Sequence, residues 1–378
     1  MSDRPSDSVS GPLRIREVRL QNFRNIAEAA VAFPADRPVF VLGPNGQGKT
    51  NLLEAIGLIT ALRSFRTHEI RPLLHWGTSE AGVRVLLDHP LRGETEFHLT
   101  LAKGRKHLRV DGEDITRLGS ILGLFPTVAF SSQDIQLLRG APLGRRQFLD
   151  LSLSATDPTY YSTLRRYHGA LKERNQLLKQ GADLALTRAF DAILLPAGAA
   201  LMEKRRAGLA AFASDLEEAY RRISPTAEEP ELRYAPDISG ARADTWQQTL
   251  ESARLRDRET GTTTRGPHRD DWELRLKGHA ARPFASEGQQ RGLVLALRVA
   301  QARWFARHGG AHPVILADDI LGELDPQRRE RFWNALDHPA QIIATGTALP
   351  GGDPGGAWAV IEVAAGQFHT AAARSPLP

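Results

Sequence analysis

Three short segments carry side chains whose types and spacing suit phosphate chemistry. The first is GPNGQGKT, in which Gly43, Pro44, Asn45, Gly46, Gln47, Gly48, Lys49 and Thr50 fit a glycine-rich phosphate loop. Backbone N–H groups of such a turn face an anion, the lysine reaches the outer phosphates, and the Thr50 hydroxyl suits Mg2+. The second is PVILADDILGELD. Its apolar run Pro313–Ala317 ends in Asp318 and Asp319, a like-charge pair that is costly beside a core unless something binds it. A metal and an attacking water account for both acids, Asp318 on the metal side and Asp319 as the base or water-orienting group. The third is ASEGQQRG, Ala285–Gly292, at the start of a helical pattern. There Ser286 and Gln289 form a capping box, and Gly288 lets a backbone approach, so the same turn also suits an anion.

These residues need particular elements beneath them. The phosphate loop follows the apolar run Pro38–Leu42 and opens a helical pattern from Thr50 to Leu62, hence strand, loop, helix. VRVLLD, TEFHLTLA and HLRVDG predict an antiparallel patch beside it. A strand at Thr127–Phe130 leads to a helix from about Pro142. From Asp157 to Glu259 the composition turns to Ala, Leu, Arg, Lys, Glu and Gln with apolar residues at three- and four-residue spacing, which predicts an inserted helical lobe. Pro196 is expected to break or kink one of its helices. Short strands return after Thr262. They are followed by a helix from Gln289 to about Arg307, a strand at Val314–Ala317 and a closing pair of elements ending near Val363.

Bulk composition narrows the classes of function. With 378 residues, 41% of them hydrophobic, the chain buries a large core and is not a disordered polymer. Lys and Arg number 49 against 44 for Asp and Glu, a mild basic excess compatible with a polyanion. With no cysteine, disulfides, thiolate metal sites and cysteine nucleophiles are excluded, in keeping with a reducing cytoplasm. The opening MSDRPSDSVSGPLR reads as a flexible polar tail rather than a signal peptide, and no apolar window is long enough for a membrane span.

A phosphate loop alone suits a kinase, a GTPase or an ABC-type motor, and the Asp-Asp strand together with the ASEGQQRG turn selects the last. Here the sequence resembles the RecF family, a member of the SMC-like group of ABC ATPases. LRIREVRLQNFRN (Leu13–Asn25), GPNGQGKTNLLEAI, RSFRT (Arg63–Thr67), VAFSSQDIQLLRGAPLGRRQFLD (Val128–Asp150), RGPHRDD (Arg265–Asp271), the turn at Ser286–Gln290, Asp318-Asp319 with GELD, and ATGT (Ala344–Thr347) follow in the family's order. Departures are Glu287 for a usual Gln, Gly322 for a usual Ser, and Gln133 before Asp where Glu-Asp is commoner.

The resemblance implies an α/β fold: an ABC-type P-loop ATPase head with an inserted helical lobe and no long coiled coil, since the insert lacks sustained heptads. It divides the chain into a tail at 1–11, head segments at 12–155 and 262–378, and the lobe at 156–261. It implies ATP and Mg2+ as ligands, held by Gly43–Asn51 of one subunit and by Ser286, Gly288 and Gln289 of another. Thr50, Asp318 and Gln133 would face the metal, with Asp319, Lys49 and Gln133 acting in hydrolysis. Gln133 or its neighbour Asp134 would be the sensor of metal and nucleotide, and a hydroxyl within Thr345–Thr347 would sense the γ-phosphate. The implied function is that of a weak ATPase and recombination mediator. It would form a homodimer on ATP, bind DNA near single-strand gaps, and act with RecR and RecO to load RecA, without a membrane partner.

Rival readings are a transporter-type ATPase subunit and a DNA-binding module with a non-hydrolysing site. The inserted lobe and basic balance oppose the first, and Lys49 and Asp318 oppose the second. Arg63, Arg66, Arg71, Arg105, Lys106, Arg145, Arg146, Arg165 and Arg166 are a candidate phosphate-tracking set. His268 reads as structural.

Overall fold

Strand β1 (Arg14–Phe23) alternates exposed and buried positions, as a half-buried antiparallel strand must. It is followed by β2 (Ile26–Ala32), β3 (Val39–Leu42), β4 (Glu80–His89), β5 (Gly93–Ala102), β6 (Arg105–Val110), β7 (Glu113–Asp114) and β8 (Thr127–Ser131). Later come β9 (Pro230–Ala235), β10 (Asp271–Leu276) and β11 (His279–Ala280), then β12 (Val314–Asp318), β13 (Ile342–Gly346), β14 (Ala359–Ala364) and β15 (Gln367–Thr370). The computed structural model describes residues 11–67, 69–224, 226, 228–239, 243–336, 340–350 and 358–370. Residues 1–10 of the expected tail lie outside the described residues.

The chain forms two compact units, one of residues 1–134 with 297–378 and one of residues 135–296. The segment 156–261 lies wholly within the second unit. In the first unit, an antiparallel sheet runs β2-β1-β4-β5-β6-β7 and a second sheet runs β15-β14-β3-β13-β12-β8. In the second sheet β14, β3, β13, β12 and β8 are all parallel, with β15 antiparallel on β14. Its strands read VFVL and VILAD, near-continuous apolar runs that suit a sheet covered on both faces. The helix Lys49–Ala61 packs its leucines and isoleucines into the core shared by both sheets. The carboxyl ends of β3, β13 and β12 therefore lie side by side, where parallel sheets gather ligand-binding loops.

The second unit is mainly helical, with helices Pro142–Ser154, Pro158–Lys179, Leu184–Ile223 and Ala243–Thr260. Of the two effects expected of Pro196, a break does not occur. The helix Leu184–Ile223 runs through it for 40 residues, and packing of Leu195, Met202, Ile238 and Trp246 offsets the lost hydrogen bond. The unit also carries the three-stranded sheet β11-β10-β9. Strand β9 was not expected within the helical segment.

Buried ion pairs wire this unit together. Arg205 reaches Asp150 at 3.0 Å and Asp270 at 3.1 Å, and Arg174 reaches Asp191 at 2.7 Å and Asp257 at 2.8 Å. Breaking one partner of such a pair would strand a charge in the core. His268 belongs to the same framework. Its Nδ1 lies 2.7 Å from the Tyr167 hydroxyl and its Nε2 2.9 Å from the Thr263 carbonyl, and burial pushes its pKa down to about 4. A neutral imidazole held at both nitrogens is structural, as its sequence context predicts.

Candidate nucleotide site

The phosphate loop is positioned by contacts to the ends of the strands around it. Gly43 donates its N–H to the Gly346 carbonyl at 3.2 Å, tying the end of β3 to that of β13. A Cβ at Gly43 would lie 2.4 Å from the Val363 carbonyl oxygen, so no larger residue fits beside β14. Gly48 has φ +110, a conformation that strains any other residue. The Gln47 side-chain oxygen accepts the Ala365 N–H at 2.5 Å, which pins the loop's outer edge to the turn between β14 and β15.

The helix beginning at Lys49 has no side-chain cap and no acid in its first turn. Its first N–H groups thus keep their partial positive charge for an anion. Lys49 is 3% exposed and its Nζ donates to the Gly43 and Pro44 carbonyls at 2.7 and 3.0 Å, placing the cation in the cup of the loop. A buried cation over open amides is the donor set a polyphosphate requires.

One hydroxyl ties the loop to the acidic strand. Thr50 Oγ1 donates to Asp318 Oδ1 at 2.8 Å, and Thr345 Oγ1, at the end of β13, donates to the same oxygen at 3.0 Å. Thr345 Oγ1 also accepts the Asp319 N–H at 3.0 Å, so this one hydroxyl orients both acids. Burial raises the Asp318 pKa; the bonds from Thr50 and Thr345 oppose that shift, and the Asp319 charge adds to it. A divalent cation would relieve this cost, and the hydroxyl and carboxylate oxygens of Thr50 and Asp318 are hard donors of the kind Mg2+ takes alongside phosphates. Asp319 has φ +54, a left-handed turn that carries its side chain off the strand direction.

Sequence reasoning gave no role to Arg24, Asn25 and Glu54, which the structure joins to Asn51 and Arg66 beside the loop. Asn25 Nδ2 donates to the Gly46 carbonyl at 2.9 Å, and Asn51 Nδ2 donates to Asn25 Oδ1 at 2.6 Å. Arg66 bonds Asn51 at 2.8 Å and Glu54 at 3.2 Å, while Arg24 grips Glu54 with bonds of 2.9 and 2.7 Å. Glu54 is fully buried and also accepts from Ser64 Oγ. The signal was available, because Glu54 is the one acid in the helix Lys49–Ala61 and sits among apolar residues.

Other expected residues have different surroundings. Gln133 is exposed just beyond β8, whereas its alternative, Asp134, is buried on Arg298 at 2.6 Å and accepts the Ser131 N–H at 2.8 Å. Thr347 is exposed. Gly322 has open space where a Cβ would stand, so a serine there would meet no obstacle.

In the second unit, the turn before the helix Glu287–His308 forms the capping box. Ser286 N–H donates to Gln289 Oε1 at 2.7 Å, and Gln289 N–H donates to Ser286 Oγ at 3.3 Å. Gln289 Nε2 donates to Glu228 at 2.8 Å. Ser286 and Glu287 are exposed, Gly288 is half-buried, and Gln290 is buried on the Ala285 carbonyl at 2.9 Å and on Arg139 at 2.7 Å. The turn is thus held from behind and open in front.

Among the basic residues, Arg66 is engaged with Glu54, Arg145 with Asp271 at 2.7 Å, Arg146 with the Asp270 carbonyl at 2.7 Å, and Lys106 with the Leu62 carbonyl. These four hold the fold. Arg63, Arg71, Arg105, Arg165 and Arg166 are exposed.

The geometry makes a direct statement about Lys49. Lys49→Ala is expected to lower nucleotide affinity on the order of a hundredfold, because a desolvated phosphate group loses its charged partner. Calorimetric titration with ATP checks this. Affinity and hydrolysis both within about twofold of the parent would show that the loop does not hold phosphate.

Comparison with known proteins places these features in a wider group. The profile described as RecF/RecN/SMC N terminal domain matches residues 14–348. The DNA replication and repair protein RecF of Moorella thermoacetica is 38% identical over 314 residues, covering 82% of this chain and 83% of that protein. That of Geobacter metallireducens is 37% identical over 341 residues, covering 88% and 92%. Among solved structures, the recombination mediator protein RecF-ATP in the RecFOR pathway superposes with a TM-score of 0.87 at 27% identity, covering 98% of this chain and 100% of that one. An Smc head domain from Pyrococcus furiosus, at 15% identity and a TM-score of 0.50, shares the fold alone. Among the described residues, no helix is long and apolar enough to cross a membrane.

Proposed function

The chain belongs to the RecF family of DNA replication and repair proteins, with an ABC-type ATPase head fold, and from that premise we propose that it is an ATP-gated dimer acting on DNA. ATP joins two copies, hydrolysis parts them, and the paired form binds DNA beside single-strand gaps, where with RecR and RecO it promotes loading of RecA. In this reading residues 12–155 and 262–378 build the head and residues 156–261 the inserted lobe. The observation that carries the proposal is the bond from Thr50 to Asp318, which joins a phosphate loop to a paired-acid strand.

Each residue then has a part. Gly43–Asn51 cradle the phosphates, with Lys49 opposing their charge. Thr50, Asp318 and the exposed Gln133 would hold Mg2+, which when bound supplies neutralisation of phosphate charge. Asp319 orients the attacking water and takes its proton, while Thr345 keeps the two acids in register. Ser286, Gly288 and Gln289 of the second copy face the outer phosphate. The turn at Ser286 supports this, being capped for its own helix yet exposed.

DNA affinity in this account comes from cations on phosphates. It is expected to fall on the order of a hundredfold or more between about 50 and 200 mM salt and to vary little with base sequence. Fluorescence anisotropy across a salt series measures it. Equal affinity at the two ends of the series would remove the electrostatic reading.

A further inference from the structure

Trp76 is 96% exposed, whereas Trp246, Trp272, Trp304 and Trp333 are buried. An indole ring carries one of the largest burial gains in a protein, and here that gain is unused. The backbone beneath it is nonetheless fixed. His75 donates its N–H to the Asn22 carbonyl at 2.8 Å, and its Nδ1 lies 2.8 Å from the Arg24 carbonyl. Thr78 bonds the His75 carbonyl through both N–H, at 3.1 Å, and hydroxyl, at 2.8 Å. Gly77 turns the chain at φ +82.

The turn therefore presents the ring on a stiff mount, so little backbone entropy is lost when something stacks on it. The mount is joined to the loop already described, since Arg24 grips Glu54 and its neighbour Asn25 bonds Gly46.

The chemistry around the ring selects the partner. An anchor for a protein pocket sits amid further apolar surface. Around Trp76 the apolar Leu73 is buried and Leu74 half-buried, so the exposed neighbours in the chain are Gly77, Ser79 and Glu80, with the cation Arg71 five residues before the ring. A lone exposed aromatic with an exposed guanidinium five residues before it in the chain, on the short helix Arg71–Leu73, is the equipment of a base-stacking platform.

We propose that Trp76 is a stacking post for an unpaired nucleobase, with Arg71 on the adjoining phosphate. This rests on the DNA reading above and deepens it, because a duplex keeps its bases stacked on one another and offers the ring nothing comparable. The post would thus let the protein distinguish a strand with free bases from a closed duplex.

The test uses the full chain with Mg2+ and ATP, an unpaired purine-rich oligonucleotide, and a duplex of equal length. The single strand should quench a solvent-exposed component of the tryptophan emission that Trp76→Phe removes. Trp76→Ala should lose roughly tenfold in single-strand affinity and less than about twofold in duplex affinity, with Trp76→Phe keeping most of it. Because the ring touches almost nothing of its own chain, the thermal unfolding midpoint should not move. Single-strand affinity within about twofold of the parent for Trp76→Ala overturns the post while leaving the DNA reading intact. Equal loss on both DNAs also overturns it, and assigns Trp76 a general contact instead. A parent chain that binds neither DNA fails the underlying reading and the post together.

Discussion

Asp319→Asn should bind ATP as tightly as the parent and hydrolyse it roughly 10²–10⁴ times more slowly, the usual contribution of a positioned general base. The backbone gives the reason to expect so clean a separation. Asp319 sits at φ +54, a region Asn occupies at least as readily as Asp, and its fixed contact is an N–H bond to Thr345 that the substitution does not touch. The Thr50–Asp318 bond likewise survives. The variant should therefore accumulate as a long-lived ATP-bound dimer, visible in size-exclusion chromatography with ATP alone. Hydrolysis at the parent rate would move the base elsewhere, with Asp318 and Glu323 next in line.

The phosphate loop and the acidic strand were legible in the sequence because their chemistry lives in local backbone geometry. A loop of fixed length with Lys and Thr at its end must open a helix, and an apolar run ending in two acids must leave a core. Both occur within a residue or two of the expected bounds. That Thr345 stands between them was not legible, since only the strand order β3-β13-β12 brings it there.

Long-range pairing hides other features. Strand β9 begins at a proline and carries two charges, and only its ladder with β10, from Pro230 on Leu276 to Ala235 on Asp271, makes it a strand. Arg145 looked like a free cation until the fold brought it to Asp271, far along the chain. Pro196 shows the converse, a local helix-breaking signal that does not end the helix Leu184–Ile223. Composition and spacing report local preference, and the partners that overrule it lie too far away in sequence to be read.

The second large effect concerns Ser286. Ser286→Arg is expected to leave ATP binding at Gly43–Thr50 unchanged while dimer formation and hydrolysis fall together, on the order of a hundredfold. The substitution costs little in its own helix. It loses the bond from Gln289 N–H to the hydroxyl, about 1 kcal/mol, and keeps the bond from its own N–H to Gln289 Oε1. A bulky side chain on this exposed turn would obstruct a second head rather than its own fold. Loss of nucleotide binding in this variant alone would mean that Ser286 serves its own chain.

The most direct test of the ATP-gated dimer mixes two inactive proteins, Ser286→Arg and Lys49→Met, in equal amounts and measures ATP hydrolysis. A mixed dimer brings the intact loop of one chain to the intact Ser286 turn of the other and so restores one of its two sites. Hydrolysis well above that of either variant alone is the predicted result. An ATPase that works as a monomer gives no recovery at any ratio, and that outcome would contradict the account.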